Sequence, residues 1–259
     1  MTGQPLTTST TAPKRRISKA LIAIVAGYAL TFLLRSDSIF LLGLLGAFVM
    51  IGGYVVLALA TYPKASGRGA SDVNQPDPAT AIRAHYAAVL GWCAVQVAVA
   101  VVGLAVTAAL GTTYLFPLIP LSIVAAIMAL GWTSVGAYWT WKCARAVRTF
   151  QPVARPFHPL SLRGNGKRSL RLGDIGSGES PIMAGMDPLL HDNWPAGSED
   201  WVWFAGDDAF GGVVMLPRSG MLIFVQPKDW DETEAERKAA GPERTQQAER
   251  AGVLKQGKM

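Results

Sequence analysis

The sequence predicts an α-helical polytopic membrane bundle, four transmembrane helices in two hairpins, followed by a small antiparallel β-rich cytoplasmic module. Three observations predict it. Four long apolar runs, Ile17–Leu34, Ile39–Thr61, Tyr86–Leu110 and Tyr114–Trp141, fill the first 141 residues, and the remaining 118 contain none. Lys19 is the one charged residue inside those runs. Beyond them the chain alternates apolar and polar residues between turn signals, the period of half-buried strands.

A bilayer core about 30 Å thick is crossed by roughly 20 helical residues, so each run is long enough to span it. Of 259 residues, 50% are hydrophobic and 16% charged, against about 25% charged in ordinary soluble domains. The deficit lies in the first half, which carries eight basic and three acidic residues. The first run resembles a signal peptide in its basic start and apolar core, but no small-residue cleavage site follows, so it is expected to stay as a helix. The expected divisions are a disordered leader over 1–16, a helical domain over 17–150, the β-rich module over 151–228, and a charged helix with a disordered end over 229–259. The spans within the helical domain are about 17–34, 39–61, 86–110 and 114–141.

Basic residues flanking the spans set the orientation. With both termini in the cytoplasm, the inner side receives Lys14, Arg15, Arg16, Lys19, Lys64, Arg68, Arg83, Lys142, Arg145 and Arg148, and the outer side only Arg35. This predicts a multi-pass plasma-membrane protein with short outer loops. Asp77 and Pro78 read as the start of a helix, an N-cap followed by a first-turn proline, with the third span entered through Ala79–Tyr86. The fourth helix is expected to begin near Pro117 or Pro120. It ends in Tyr138, Trp139 and Trp141, followed by Lys142, Arg145 and Arg148. Amphipathic rings at headgroup level and then basic groups mark a membrane boundary. Lys14, Arg15, Arg16, Lys19, Trp139, Trp141, Lys142, Arg145 and Arg148 are therefore the expected contacts to anionic headgroups.

No ionisable residue falls in mid-span. Gln96 is the costliest polar side chain there, and an interhelical hydrogen bond is its expected use. Gly43/Ala47 and Ala94/Ala98 have the small-xxx-small spacing that lets helices approach closely, within one bundle or in a homo-oligomer. Cys93 and Cys143 are too few for a disulfide scaffold and are expected reduced near the inner face; Lys142 beside Cys143 is the one hint of a reactive thiol.

In the second half, PLSLR and RSLRLGD flank an Asn165–Gly166 turn, with Leu160, Leu162, Leu170 and Leu172 alternating, which predicts a hairpin. WVWFAG, GGVVMLP and MLIFVQP give three more strands. The expected module has about five strands over Pro159–Gln226, joined by a loop over Ile175–Asp200 and turns at Gly206–Phe210 and Arg218–Gly220. DETEAERKAA reads as a helix that breaks at Gly241–Pro242. Eight basic residues and no acid lie between Lys142 and Arg171. A membrane surface suits that block better than nucleic acid, since no aromatic-interleaved motif accompanies it.

The recognisable motifs fail when tested. GNGKRS lacks the first glycine and the hydroxyl residue of a phosphate-binding loop, and GDIGSG is not a dinucleotide fingerprint. His85, His158 and His191 show no metal spacing. Asp207–Asp208 reads as a pair of turn acids. No catalytic, cofactor or metal site is expected. The aromatic density is unusual: Trp194, Trp201, Trp203, Phe204, Phe210, Phe224 and Trp230 fall within 37 residues. Strands with two apolar faces need cover on both, so Trp201, Trp203, Phe210 and Trp230 are the candidate partner surface. The functional expectation is a non-enzymatic membrane anchor or scaffold whose module binds a protein partner. A small channel or transport accessory, with a regulatory tail, is the alternative.

Overall fold

Each apolar run nucleates a helix, and the alternating second half closes into a barrel. The computed structural model describes residues 11–33, 40–62, 76–110, 118–162, 167–173, 181–189, 194, 201–217 and 219–254. Among them are six helices, α1 (Thr11–Leu33), α2 (Phe40–Ala60), α3 (Pro78–Leu110), α4 (Leu118–Thr149), α5 (Glu234–Ala239) and α6 (Gly241–Ala251). There are six strands, β1 (Val153–Leu162), β2 (Lys167–Leu172), β3 (Ile182–Met186), β4 (Trp201–Asp207), β5 (Gly211–Met215) and β6 (Leu222–Pro227). The helices α3 and α4 are long and apolar enough to cross a membrane. The chain divides into two units, Met1–Tyr62 with Trp92–Gly131, and Pro63–Gly91 with Trp132–Met259.

In the first unit α1 and α2 pack through glycine. A Cβ on Gly27 would lie 2.5 Å from the Met50 amide nitrogen, and one on Gly46 would lie 2.5 Å from Thr31 Oγ1. Only residues without side chains allow backbones this close. The close-approach seam thus runs through Gly27, Gly46 and Met50. The expected pair Gly43/Ala47 lies on α2, with Ala47 half-buried and the surroundings of Gly43 outside the described residues. Tyr54, Ala100 and Ala125 are buried together, with Ile24 and Leu121 against them. The Tyr54 hydroxyl donates to Gln96 Oε1. The hydroxyls of Thr31, Thr107 and Ser122 each donate to a carbonyl one turn back, of Gly27, Gly103 and Leu118, which keeps them satisfied in an apolar setting.

In the second unit the strands form a closed antiparallel barrel in the order β1-β2-β3-β6-β5-β4. Three sequential hairpins, β1–β2, β2–β3 and β4–β5, are followed by β5–β6, and the chain crosses from β3 to β4 so that β4 pairs with β1 and β6 with β3. Closure leaves no free edge. The five expected strands are present, and the sixth, β3, falls in the stretch expected as loop. The turn at Asn165–Gly166 lies outside the described residues.

The barrel interior is filled by Phe157, Leu170, Leu172, Met183, Val202, Phe204, Val214, Ile223 and Val225. A second cluster lies on the outer face of β4–β6, where Ala205, Val213, Met215, Leu222 and Phe224 join Ala81 of α3, Cys143, Ala146 and Phe150 at the end of α4, and Ala248, Ala251 and Val253 of the tail. Both faces of these strands are apolar because both are buried.

The helix starts follow local rules. Asp77 Oδ1 accepts the Thr80 amide at 3.0 Å, and hydrogen bonds from Thr80 hold the Asp77 carboxyl below the usual carboxylate range. Pro78 occupies the first position of α3. The chain then continues without a break from this turn into the apolar run, as one helix of 33 residues. The helix breaks at Gly241–Pro242 as expected, with Gly241 at φ +74°, but a second helix follows where a disordered end was expected: Pro242 suits its first turn, and α6 runs to Ala251. Likewise α1 begins at Thr11, within the stretch expected to be disordered.

Candidate functional site

Four of the residues singled out in the sequence, His85, Trp139, Lys142 and Phe210, come together where the start of α3 and the end of α4 meet the barrel. His85 is 1% exposed. Its Nδ1 lies 2.8 Å from the Ala81 carbonyl, and its Nε2 lies 3.4 Å from the Leu222 amide nitrogen. That arrangement assigns the neutral tautomer with the proton on Nδ1. Its histidine is a structural bridge between a helix and a strand.

One turn of α4 supplies the aromatic part of the joint. Trp139 packs on Phe224 with ring centroids 5.5 Å apart. The Lys142 ammonium stands 5.0 Å from the Phe224 centroid, 5.4 Å from Tyr138 and 5.5 Å from Trp139. A cation among three ring faces is held electrostatically by their quadrupoles. Arg145 stacks on Trp141 at 4.8 Å and donates from Nη2 to the Arg250 carbonyl at 2.7 Å and from Nε to the same oxygen at 3.2 Å. Trp139, Lys142 and Arg145 are therefore engaged within the protein. Trp141 and Arg148 are exposed, as are Arg16 and Lys19 on α1; Lys14 and Arg15 lie on α1 with side chains outside the described residues.

The β4–β5 turn carries the two adjacent acids. Asp207 Oδ1 accepts the Ala209 amide at 3.0 Å, the local closure of an Asx turn. Its Oδ2 takes both Nε and Nη2 of Arg244, at 2.8 and 2.7 Å. Asp208 faces Arg155 at 3.6 Å. Burial pushes its carboxyl above the ordinary aspartate range, with Arg155 opposing and Asp207 adding to the shift. Both are turn acids, and Asp207 also receives the tail through Arg244.

At another point of the barrel, Arg168 and Asp187 form an ion pair with both side chains 0% exposed, Nη2 to Oδ2 3.2 Å. Trp194 lies over the guanidinium at 4.5 Å and meets Phe157 edge-on at 5.2 Å. Asp187 Oδ1 also accepts the Leu189 amide at 2.9 Å. Sequence reasoning missed this pair: Arg168 sits in a basic run and Asp187 in a stretch expected as loop, and only the β2–β3 pairing brings them together.

The candidate partner surface separates into different environments. Phe210 is 2% exposed and belongs to the second cluster, with Trp203 partly buried against it. Trp201 and Trp203 meet edge-on at 5.3 Å. Trp230 lies under Arg237 at 4.0 Å. The apolar outer face of β4–β6 is covered by the chain's own helices. Ala94 and Ala98 are exposed on α3, and Gln96 is buried in its bond to Tyr54. Cys143 is 0% exposed, out of reach of reagents in the closed fold. His158 is half-buried in β1, and His191 lies outside the described residues. Among the described residues no three His, Cys, Asp or Glu side chains are grouped to hold a metal ion. No protein-family model, curated protein or solved structure matches this chain. The joint's chemistry is that of holding: caps, ring faces and charge pairs.

Proposed function

We propose that the chain is a non-enzymatic, multi-pass scaffold of the plasma membrane, with four spans and both termini in the cytoplasm, whose barrel binds a protein partner. The observation that carries this reading is the joint itself. The barrel meets the start of α3 and the end of α4 through His85, Trp139 and Lys142, and these are the two helices long and apolar enough to cross a membrane. The length of α3 and α4 supports membrane association. So do large apolar side chains left exposed along the helices, such as Val25, Phe48, Ile127 and Leu130, which lipid would cover. Arg16, Lys19, Trp141 and Arg148 suit the inner headgroup region. The exposed Ala94 and Ala98 are available for close packing with a second copy.

With the aromatic face of β4–β6 occupied, a partner would meet the outer side of β1–β3. There Lys167, Ser169 and Arg171 alternate with buried Arg168, Leu170 and Leu172, His158 stands opposite Arg171, and Leu160 is 51% exposed. This surface fits an acidic protein segment. The test is cross-linked affinity purification of the full chain against a Lys167→Glu, Arg171→Glu double variant. Loss of a specific partner from the variant supports the reading, and an identical partner list removes it. Truncation after α4 is a poorer test, since it would strip the cover from Ala81, Cys143, Ala146 and Phe150.

A further inference from the structure

The tail helices bury few apolar side chains of their own, with Val253 and Leu254 just beyond α6 adding to the outer cluster, and many of their contacts are polar. No side chain of α5 is buried, and α6 buries only Ala248 and Ala251. An alanine methyl removes little apolar area from water compared with a leucine. Against this stands a set of directed bonds. The Arg145 guanidinium caps the C-terminal end of α6 through the Arg250 and Glu249 carbonyls, where the helix dipole favours a cation. Gly252 makes the cap possible: its φ is +71°, and a Cβ there would press on the guanidinium at 3.3 Å. Gln247 Nε2 donates to the Thr149 carbonyl at 3.1 Å, and Gln226 Nε2 to that of Val253 at 2.5 Å. Arg244 binds Asp207 with its own side chain 53% exposed.

The barrel interior forms a separate cluster that contains no tail residue. The tail instead joins the outer cluster that includes Cys143, Ala146 and Phe150. We propose that α5 and α6 form a salt-sensitive clasp, which opens as a unit while the barrel stays closed and uncovers the apolar surface around Cys143. Segments with few buried apolar contacts open at lower free energy than the core they rest on, and part-exposed charge pairs weaken as salt screens them.

Cys143 supplies the readout. In full-length protein in detergent, with Cys93→Ala so that one thiol remains, the rate of maleimide labelling at Cys143 measures opening. Arg145→Gln and Arg244→Gln are each expected to speed labelling about tenfold, equivalent to about 1.4 kcal/mol. Raising salt from about 0.1 M to about 1 M is expected to speed the parent several-fold, with the near-ultraviolet circular dichroism of the barrel tryptophans unchanged. Losing a nearby cation would by itself slow a thiolate reaction, so a faster rate reads exposure rather than electrostatics. Labelling indifferent to both substitutions and to salt overturns the proposal, as does labelling that rises only together with loss of the barrel signal.

Discussion

His85 and Leu222, 137 positions apart in sequence, share a hydrogen bond that substitutes for a missing strand. The β3–β6 ladder ends at Met186 opposite Phe224, and the Leu216 amide pairs with the Met221 carbonyl on the other side. The Leu222 amide therefore points past the end of β3, and the imidazole of α3 receives it. Phe in place of His85 is expected to fill the space yet leave that amide unanswered, at a cost of about 2 kcal/mol. Thermal unfolding of the purified protein followed by tryptophan fluorescence measures this; an unchanged midpoint would show that the bond contributes nothing.

The Arg168–Asp187 pair gives a sharper asymmetry. Removing one partner leaves a buried charge, so Asp187→Ala is expected to lose about 3–5 kcal/mol. Replacing both, as Arg168→Met with Asp187→Leu, is expected to recover most of that loss. Denaturant unfolding of the two variants side by side decides whether the pair acts as a unit.

Much of the architecture was legible because its signals are local. Leu170 and Leu172 alternate with charged residues, and Asp77–Pro78 is a helix start wherever it occurs. By contrast, Ile182–Met186 reads IMAGM within a run of Gly, Ser and Pro, and becomes a strand only because β2 and β6 flank it. Ala248, Ala251 and Val253 are too small and too few to announce a buried helix face. Arg145 is ambiguous for a related reason: a basic residue after an aromatic belt suits a headgroup and a helix C-terminus equally, and only the fold brings the end of α6 beside it.

The α1–α2 seam predicts position-specific sensitivity. Gly27→Ala and Gly46→Ala each place a methyl against backbone or Thr31, and the clash is expected to outweigh the roughly 1 kcal/mol gain in helix propensity. Ala98→Gly, on the exposed face of α3, is expected to cost only that propensity. Cross-linking of paired cysteines introduced on α1 and α2 should fall for the two glycine variants and stay level for the third.

Asp208 sets a pH dependence whose sign is fixed by its burial. Its carboxyl titrates higher in the folded chain than in the unfolded one, so the folded state binds the proton more tightly. Stability is therefore expected to fall as pH rises from the ordinary aspartate range through the raised value. Asp208→Asn should remove that decline, with unfolding midpoints that converge with the parent at acid pH and exceed it at neutral pH. Parallel curves for the two proteins would contradict this.

Only Phe150, Gln151 and Pro152 separate the last residue of α4 from the first of β1. Phe150 is itself anchored in the outer cluster, and β1 closes the barrel by pairing with β4. There is no swivel at this junction. Torque applied at Thr149 has only this anchored link to cross before it reaches the barrel wall, so the last turn of α4 and the first residues of β1 move together.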